Sequence, residues 1–208
     1  MPNLLLEIGT EEIPAGYIDP ALAAIRSNLS QQLTHARLDF GQLSTYATPR
    51  RLTIIAEDVA ERQQSASEEI LGPPERVAFD DRGRPTMAAR KFAEKVQLSV
   101  KRLIIQETPK GRYLCARKTD RGLAAITLLK KILPEVILAT PFPKVMKWGV
   151  LNVQFARPIH SIVALLGPRV VSIQVGDVRS GRHTRGHYFM AGTKIKLNDP
   201  AEYLDALT

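Results

Sequence analysis

Residues 180–189 read Ser-Gly-Arg-His-Thr-Arg-Gly-His-Tyr-Phe: two arginines, two histidines and two glycines, with no acid among them. Unopposed cations beside flexible backbone suit an anion, because Arg presents a fork of donors and Gly lets the main chain come close. The stretch holds no nucleophile–base pair, and Ser180 lacks the Gly-x-Ser-x-Gly setting of a nucleophile elbow. His183 and His187 have the four-residue spacing of two metal ligands on a helix. Gly186 between them opposes a helix, and no Glu follows His183 as a metal-activating base. Gly181 and Gly186 are not followed by the lysine of a phosphate-binding loop, and no Gly-x-Gly-x-x-Gly follows a strand. The chemistry expected here is holding a phosphate-bearing polymer, with no catalytic residue, metal or cofactor of its own.

Other candidates read more plainly. Glu11 and Glu12 are adjacent, so their carboxylates diverge in a strand or loop and are not expected to share a proton. They read as loop solvation or as a cap for the following helix. His35 and His160 are isolated, and His160 reads as a core residue or a helix-end contact. The basic residues recur beside rings: Arg50 and Arg51 after Thr48 and Pro49, then Lys144, Lys147 and Arg157, then Arg179, Arg182 and Arg185, with Phe142, Trp148, Phe155, Tyr188 and Phe189 among them. Cations interleaved with rings suit RNA, where phosphates take charge and unpaired bases take stacking. Trp148, Phe155 and Phe189 read more readily as core. The phosphate-binding set expected is Arg50, Arg51, Lys147, Arg157, Arg179, Arg182, His183, Arg185 and His187.

The bulk composition allows this reading. The 208 residues are 44% hydrophobic and 24% charged, ordinary for a globular chain able to bury a core. No run approaches the ~18 apolar residues of a membrane span. Nothing near the start resembles a signal peptide. Cys115 alone cannot form an internal disulfide, which fits a reducing cytoplasm. Net charge is +8, unevenly spread: residues 1–81 carry 6 Lys/Arg and 13 Asp/Glu, and residues 82–131 carry 14 and 3. An acidic opening before a basic middle suggests a polarised molecule whose basic part meets nucleic acid, the alternative being a solvated basic surface.

The elements that must position these residues alternate without a βαβ rhythm. Residues 3–8 read as a buried strand, followed by a loop. Asp19 and Pro20 read as the start of a helix with Leu22, Ile25, Leu29 and Leu33 on one face. Residues 43–47 and 51–59 read as strands, 61–69 as a polar loop and 72–74 as a stiff boundary. A helix over 86–96 and a hairpin of 103–107 with 112–118 follow. Residues 122–133 read as a helix stopped by Pro134, and 158–166 as a short helix ended by Gly167. Strands are expected over 170–175, 187–190 and 194–197, and Asp199 with Pro200 starts a last helix. The class expected is mixed α+β, with mostly antiparallel sheets, interspersed helices and room for two subdomains. Segment boundaries are expected at 1–71, 72–134 and 135–208. The chain stops a few residues into that last helical pattern, as a piece of a longer protein would.

Five blocks also carry a resemblance. They are Leu-Leu-Leu-Glu-Ile-Gly-Thr-Glu-Glu-Ile-Pro at 4–14, Ala-Thr-Pro-Arg-Arg-Leu at 47–52, Lys-Val-Met-Lys-Trp-Gly at 144–149, Phe-Ala-Arg-Pro-Ile-His at 155–160, and the stretch at 180–189. In this order, across nearly the whole chain, they resemble the β subunit of bacterial-type glycyl-tRNA synthetase. Ile13 stands where Leu is usual, and Lys147 where Arg is common; both keep the chemistry in kind. The resemblance implies an N-terminal fragment of a longer β chain that continues into an HD-like helical region and an anticodon-binding domain. It also implies an α2β2 assembly in the cytoplasm, whose α subunit activates glycine with ATP and Mg while β recognises tRNA(Gly). Parts of the family's N-terminal half are similar to the B3/B4 region of the phenylalanyl enzyme, but no editing residue can be matched here. The role expected is therefore positioning tRNA and contacting α. The rival role is a scaffold that docks α without touching RNA, and a hydrolytic editing module ranks third.

Overall fold

The computed structural model describes residues 1–80, 82–147, 153–186 and 193–207. The chain folds as two compact units, residues 1–64 with 123–208, and residues 65–122.

The first unit is built on β1 (Leu4–Thr10), an unbroken apolar run of the kind buried on both faces. It is followed by α1 (Ala15–His35), β2 (Leu43–Thr48) and β3 (Arg51–Ala56). The second unit contributes β4 (Ala66–Pro74), α2 (Glu75–Ala78), α3 (Met87–Lys95), β5 (Ile104–Thr108) and β6 (Gly111–Asp120). The chain then returns to the first unit with α4 (Ala125–Leu138), β7 (Met146–Lys147), β8 (Gln154–Phe155) and β9 (Ile159–Leu166). Last come β10 (Arg169–Val170), β11 (Gln174–Val175), β12 (Val178–Gly181), β13 (His183–Arg185) and β14 (Lys194–Lys196).

In the first unit a seven-stranded sheet runs β11-β12-β9-β1-β3-β2, with β10 also on β9. All its pairings are antiparallel except β12 with β9, so the α+β class holds. β1 lies between β3 and β9, Leu6 opposing Ile54 on one side and Ala164 on the other. Because strand side chains alternate, Leu4, Leu6 and Ile8 face one way. They join Ile25, Leu29 and Leu33 of α1 and Leu129, Leu133 and Val136 of α4 in the main core. Leu5 faces the other way, into a smaller cluster with Val163, Leu165, Leu197 and Tyr203. Glu7 shares that second face and is 2% exposed.

The second unit is a three-stranded sheet, β4-β6-β5, whose core is Leu114 and Ala116 against Ala78, Ala89, Phe92 and Val96.

Three expectations are corrected. Residues 159–166 form a strand, not a helix: β-branched Ile159, Ile162 and Val163 pair with β1, and Gly167 at φ +51° turns the chain into β10. The polar loop expected over 61–69 extends only to Ser65; from Ala66 the chain is the strand β4, where Glu68 and Glu69 are exposed and Glu69 pairs with Arg117. Neither proline bounds its helix. α1 begins at Ala15, ahead of Pro20, and α4 runs through Pro134 to Leu138. The carbonyls that lose a donor belong to Gly16 and Lys130, both exposed residues, so water can replace the missing bond. Buried Val136 and Ile137 carry the apolar stripe of α4 past its proline. The strand expected at 187–190 lies outside the described residues.

Candidate nucleic-acid interface

β1, β2, β3 and β9 bring three sequence blocks to one end of the first unit's sheet. Pro49 and Arg50 form the two-residue link of β2 and β3, closed by the Thr48–Arg51 pair. Main-chain bonds tie this link to the loop after β1: the Thr10 amide donates to the Arg50 carbonyl at 2.9 Å and the Ile13 amide to Pro49 at 2.7 Å. The Glu11 amide donates to Pro158, just ahead of β9, at 3.1 Å.

Side chains reinforce the junction. Glu11 Oε1 lies 2.8 Å from His160 Nε2, and Glu11 Oε2 lies 3.9 Å from an Arg50 guanidinium nitrogen. His160 is therefore exposed at the start of a strand, not a core or helix-end residue. Arg157 Nε donates to the Glu12 carbonyl at 3.1 Å, and its Nη1 lies 3.0 Å from Met146 Sδ, which places β7 and Lys147 beside the same end. Lys147 is exposed.

The second face carries a buried polar network centred on Glu7. Its Oε2 accepts from Thr184 Oγ1 at 2.6 Å and from the Tyr203 hydroxyl at 2.7 Å, with Arg51 Nε 3.5 Å away. Thr53 Oγ1, 2.8 Å from the Tyr203 oxygen, completes the set by donating to it. Burial, with the Glu7 carboxylate next in importance, pushes the Tyr203 phenol above its ordinary pKa of about 10, so it stays a donor. Arg51 also donates to the carbonyl of Arg185. The strand β13 is thus held from beneath at Thr184 and along its backbone at Arg185, and its alternation turns His183 and Arg185 to solvent.

The expected cations divide by what they touch. His183, Arg185 and Lys147 present exposed side chains, and Arg50 is partly exposed beside Glu11. Arg51 is 16% exposed and occupied by Glu7 and the β13 backbone. Arg182 donates to the carbonyls of Pro168 at 3.1 Å and Leu197 at 3.4 Å, away from Arg50. Arg179 is exposed on β12 and donates to Gln174 Oε1 at 3.3 Å. His187 lies outside the described residues.

The residues not foreseen are Glu7, Thr184 and Tyr203. A single carboxylate inside the run Leu-Leu-Leu-Glu-Ile was a usable signal, since a charge buried in a two-faced strand must be paired. Among the described residues, no three His, Cys, Asp or Glu gather as a metal set. None of the described helices is long and apolar enough to cross a membrane.

The family model described as "Glycyl-tRNA synthetase beta subunit" matches residues 4–208. A glycine–tRNA ligase β subunit of Desulfatibacillum aliphaticivorans is 50% identical over 207 residues, covering 100% of this chain and 30% of that protein. The β subunit of Desulforapulum autotrophicum is 45% identical over 207 residues, again 100% of this chain and 30% of the relative. That of Myxococcus xanthus is 45% identical over 205 residues, 99% of this chain and 29% of the relative. The chain thus spans about 30% of the length of these curated relatives. With a matching model over almost every residue, the chain belongs to the glycyl-tRNA synthetase β-subunit family.

Proposed function

We propose that this chain acts as the N-terminal part of a glycine–tRNA ligase β chain in the cytoplasm. There it supports ATP-dependent attachment of glycine to tRNA(Gly) by positioning the tRNA and contacting the catalytic α subunit of an α2β2 assembly. The observation that carries the RNA role is the mounting of β13. Glu7 holds the Thr184 hydroxyl and Arg51 the Arg185 carbonyl, so His183 and Arg185 meet solvent from a fixed strand, in a unit that also exposes Lys147 and partly exposes Arg50. A fixed strand suits phosphate binding, because little backbone freedom is lost when its exposed donors engage.

In this reading Arg50, Lys147, Arg179, His183, Arg185 and His187 meet the RNA. Arg51, Arg157 and Arg182, whose guanidinium groups serve the fold, shape the surface from within. No residue of this chain is assigned a bond-making role. In this reading ATP and Mg belong to the α subunit.

The scaffold reading draws on the same internal use of Arg51 and Arg182, and on Val145 and Met146, 41% and 40% exposed beside Arg157. Photo-crosslinking of tRNA(Gly) to the assembled α and β chains separates the two. Crosslinks at 183–185, Arg50 and Lys147 are expected, and Arg185→Glu should flatten the salt dependence of binding by roughly one unit. Crosslinks confined to residues beyond 208, with binding by the Arg185→Glu enzyme unchanged, would overturn the RNA role in favour of the scaffold.

A further inference from the structure

A second concentration of positive charge lies in the second unit. Residues 82–106 carry seven Lys/Arg and a single acid, Glu94. Five of these cations fall on α3 and on the 3-10 turn Val100–Arg102 packed against it.

α3 buries Ala89, Phe92 and Ala93 in the unit's core. At 3.6 residues per turn the opposite arc then carries Arg90, Glu94, Met87, Lys91 and Lys95. Of these, Arg90, Lys91 and Lys95 are exposed, as are Lys101 and Arg102 beyond the helix end. Three of the unit's acids serve other arginines: Asp80 pairs with Arg84, Glu69 with Arg117 and Glu75 with Arg112. Among the described residues, no side-chain hydrogen bond or ion pair engages Arg90, Lys91, Lys95, Lys101 or Arg102. Five cations against the single carboxylate of Glu94 leave an excess of positive charge on one short face, and an external polyanion relieves that repulsion.

The geometry favours a nucleic-acid backbone. Arg90 and Lys95 are about 7.5 Å apart along the helix axis, from ~1.5 Å of rise per residue. A nucleic-acid strand carries a phosphate every few ångströms, so more than one phosphate can meet cations spread over that length. A membrane surface would need an apolar arc facing outward, whereas the apolar arc of α3 is in the core and only Met87, 66% exposed, stands among the cations.

We infer that α3 and the turn after it form a second RNA-contact face, which grips phosphates without reading bases. That the RNA is tRNA rests on the ligase reading above. The face shares no residue with the sheet-end cluster.

The test uses the full-length β chain assembled with its α partner. A triple variant, Arg90→Ala with Lys91→Ala and Lys95→Ala, keeps good helix formers in α3, and a second variant carries Lys101→Ala with Arg102→Ala. Binding of a tRNA(Gly) transcript is measured across salt concentrations, alongside thermal melting. The expected result is a salt dependence shallower by about one unit for each phosphate no longer neutralised, with unchanged melting. Unchanged salt dependence in both variants overturns the inference. If Arg185→Glu weakens tRNA binding while both variants leave it intact, this face fails and the ligase reading stands; if none of the three changes it, both fail. If the variants impair assembly with α, or retention on phosphatidylglycerol vesicles, with tRNA binding intact, the face serves an acidic protein or a membrane and the inference is overturned.

Discussion

Thr184 Oγ1 donates to Glu7 Oε2 at 2.6 Å across 177 residues of sequence. This hydrogen bond joins the first strand of the chain to the arginine-bearing strand β13, and it shows what the buried carboxylate is for. Glu7 has no solvent to satisfy it, so the hydroxyls of Thr184 and Tyr203 and the Arg51 guanidinium must do so, and each partner brings its own segment with it.

Glu7→Ala is expected to cost about 3–5 kcal/mol, the usual range when one member of a buried pair is removed and the other stays. Urea denaturation measures it. A loss below about 1 kcal/mol would mean that water or rearrangement replaces the carboxylate, and that the network does not hold β13.

Alkaline pH should act through Tyr203. Its phenol titrates higher in the folded chain than in the unfolded one, chiefly because it is buried. Between the unfolded pKa of about 10 and the folded value, the unfolded chain has lost the proton that the folded chain keeps, so stability falls as pH rises. Below about pH 10 the contribution is fully present. Melting temperatures from pH 8 to 11 should drop more steeply for the wild type than for Tyr203→Phe; parallel curves would remove Tyr203 as the cause.

Gly72 faces the ring of Phe92, and a Cβ there would stand 2.6 Å from the nearest ring carbon. Gly72→Ala should therefore destabilise the protein by about 1–3 kcal/mol through overpacking. Adding Phe92→Leu should recover part of that loss, and a double variant whose losses simply add would refute the steric account.

Cys115 is 0% exposed on β6, and burial, ahead of the nearby Glu69 carboxylate, raises its thiol pKa. Iodoacetamide should leave the native protein unlabelled near neutral pH and label it fully in guanidinium chloride. Rapid native labelling would show that β6 opens locally.

Parts of this architecture can be read from the chain alone. The stripe Ile25, Leu29 and Leu33 announces α1, and Pro109, Lys110 and Gly111 announce the turn between β5 and β6. Residues 159–166 mislead because a short apolar run ending in Gly suits a buried strand as well as a helix, and only pairing with β1 decides. Pro20 and Pro134 mislead because their local cost is outweighed by the faces their helices bury. At the site, residue type shows which side chains carry charge but not what each charge touches. Arg182 and Arg185 look alike in sequence, yet one guanidinium serves two carbonyls and the other side chain is exposed.

The central place of β1 also sets the order of events during synthesis. Its flanking strands are β3 and β9, so β1 cannot complete its pairing until residue 166 has emerged. At about 5–20 residues per second, that leaves one sticky edge open for roughly 8–30 s. The three strands of the second unit lie within residues 66–120 and can zip together in that interval. A nascent chain halted once residue 125 has cleared the ribosome should therefore carry a protease-resistant second unit while a chaperone can still seize β1.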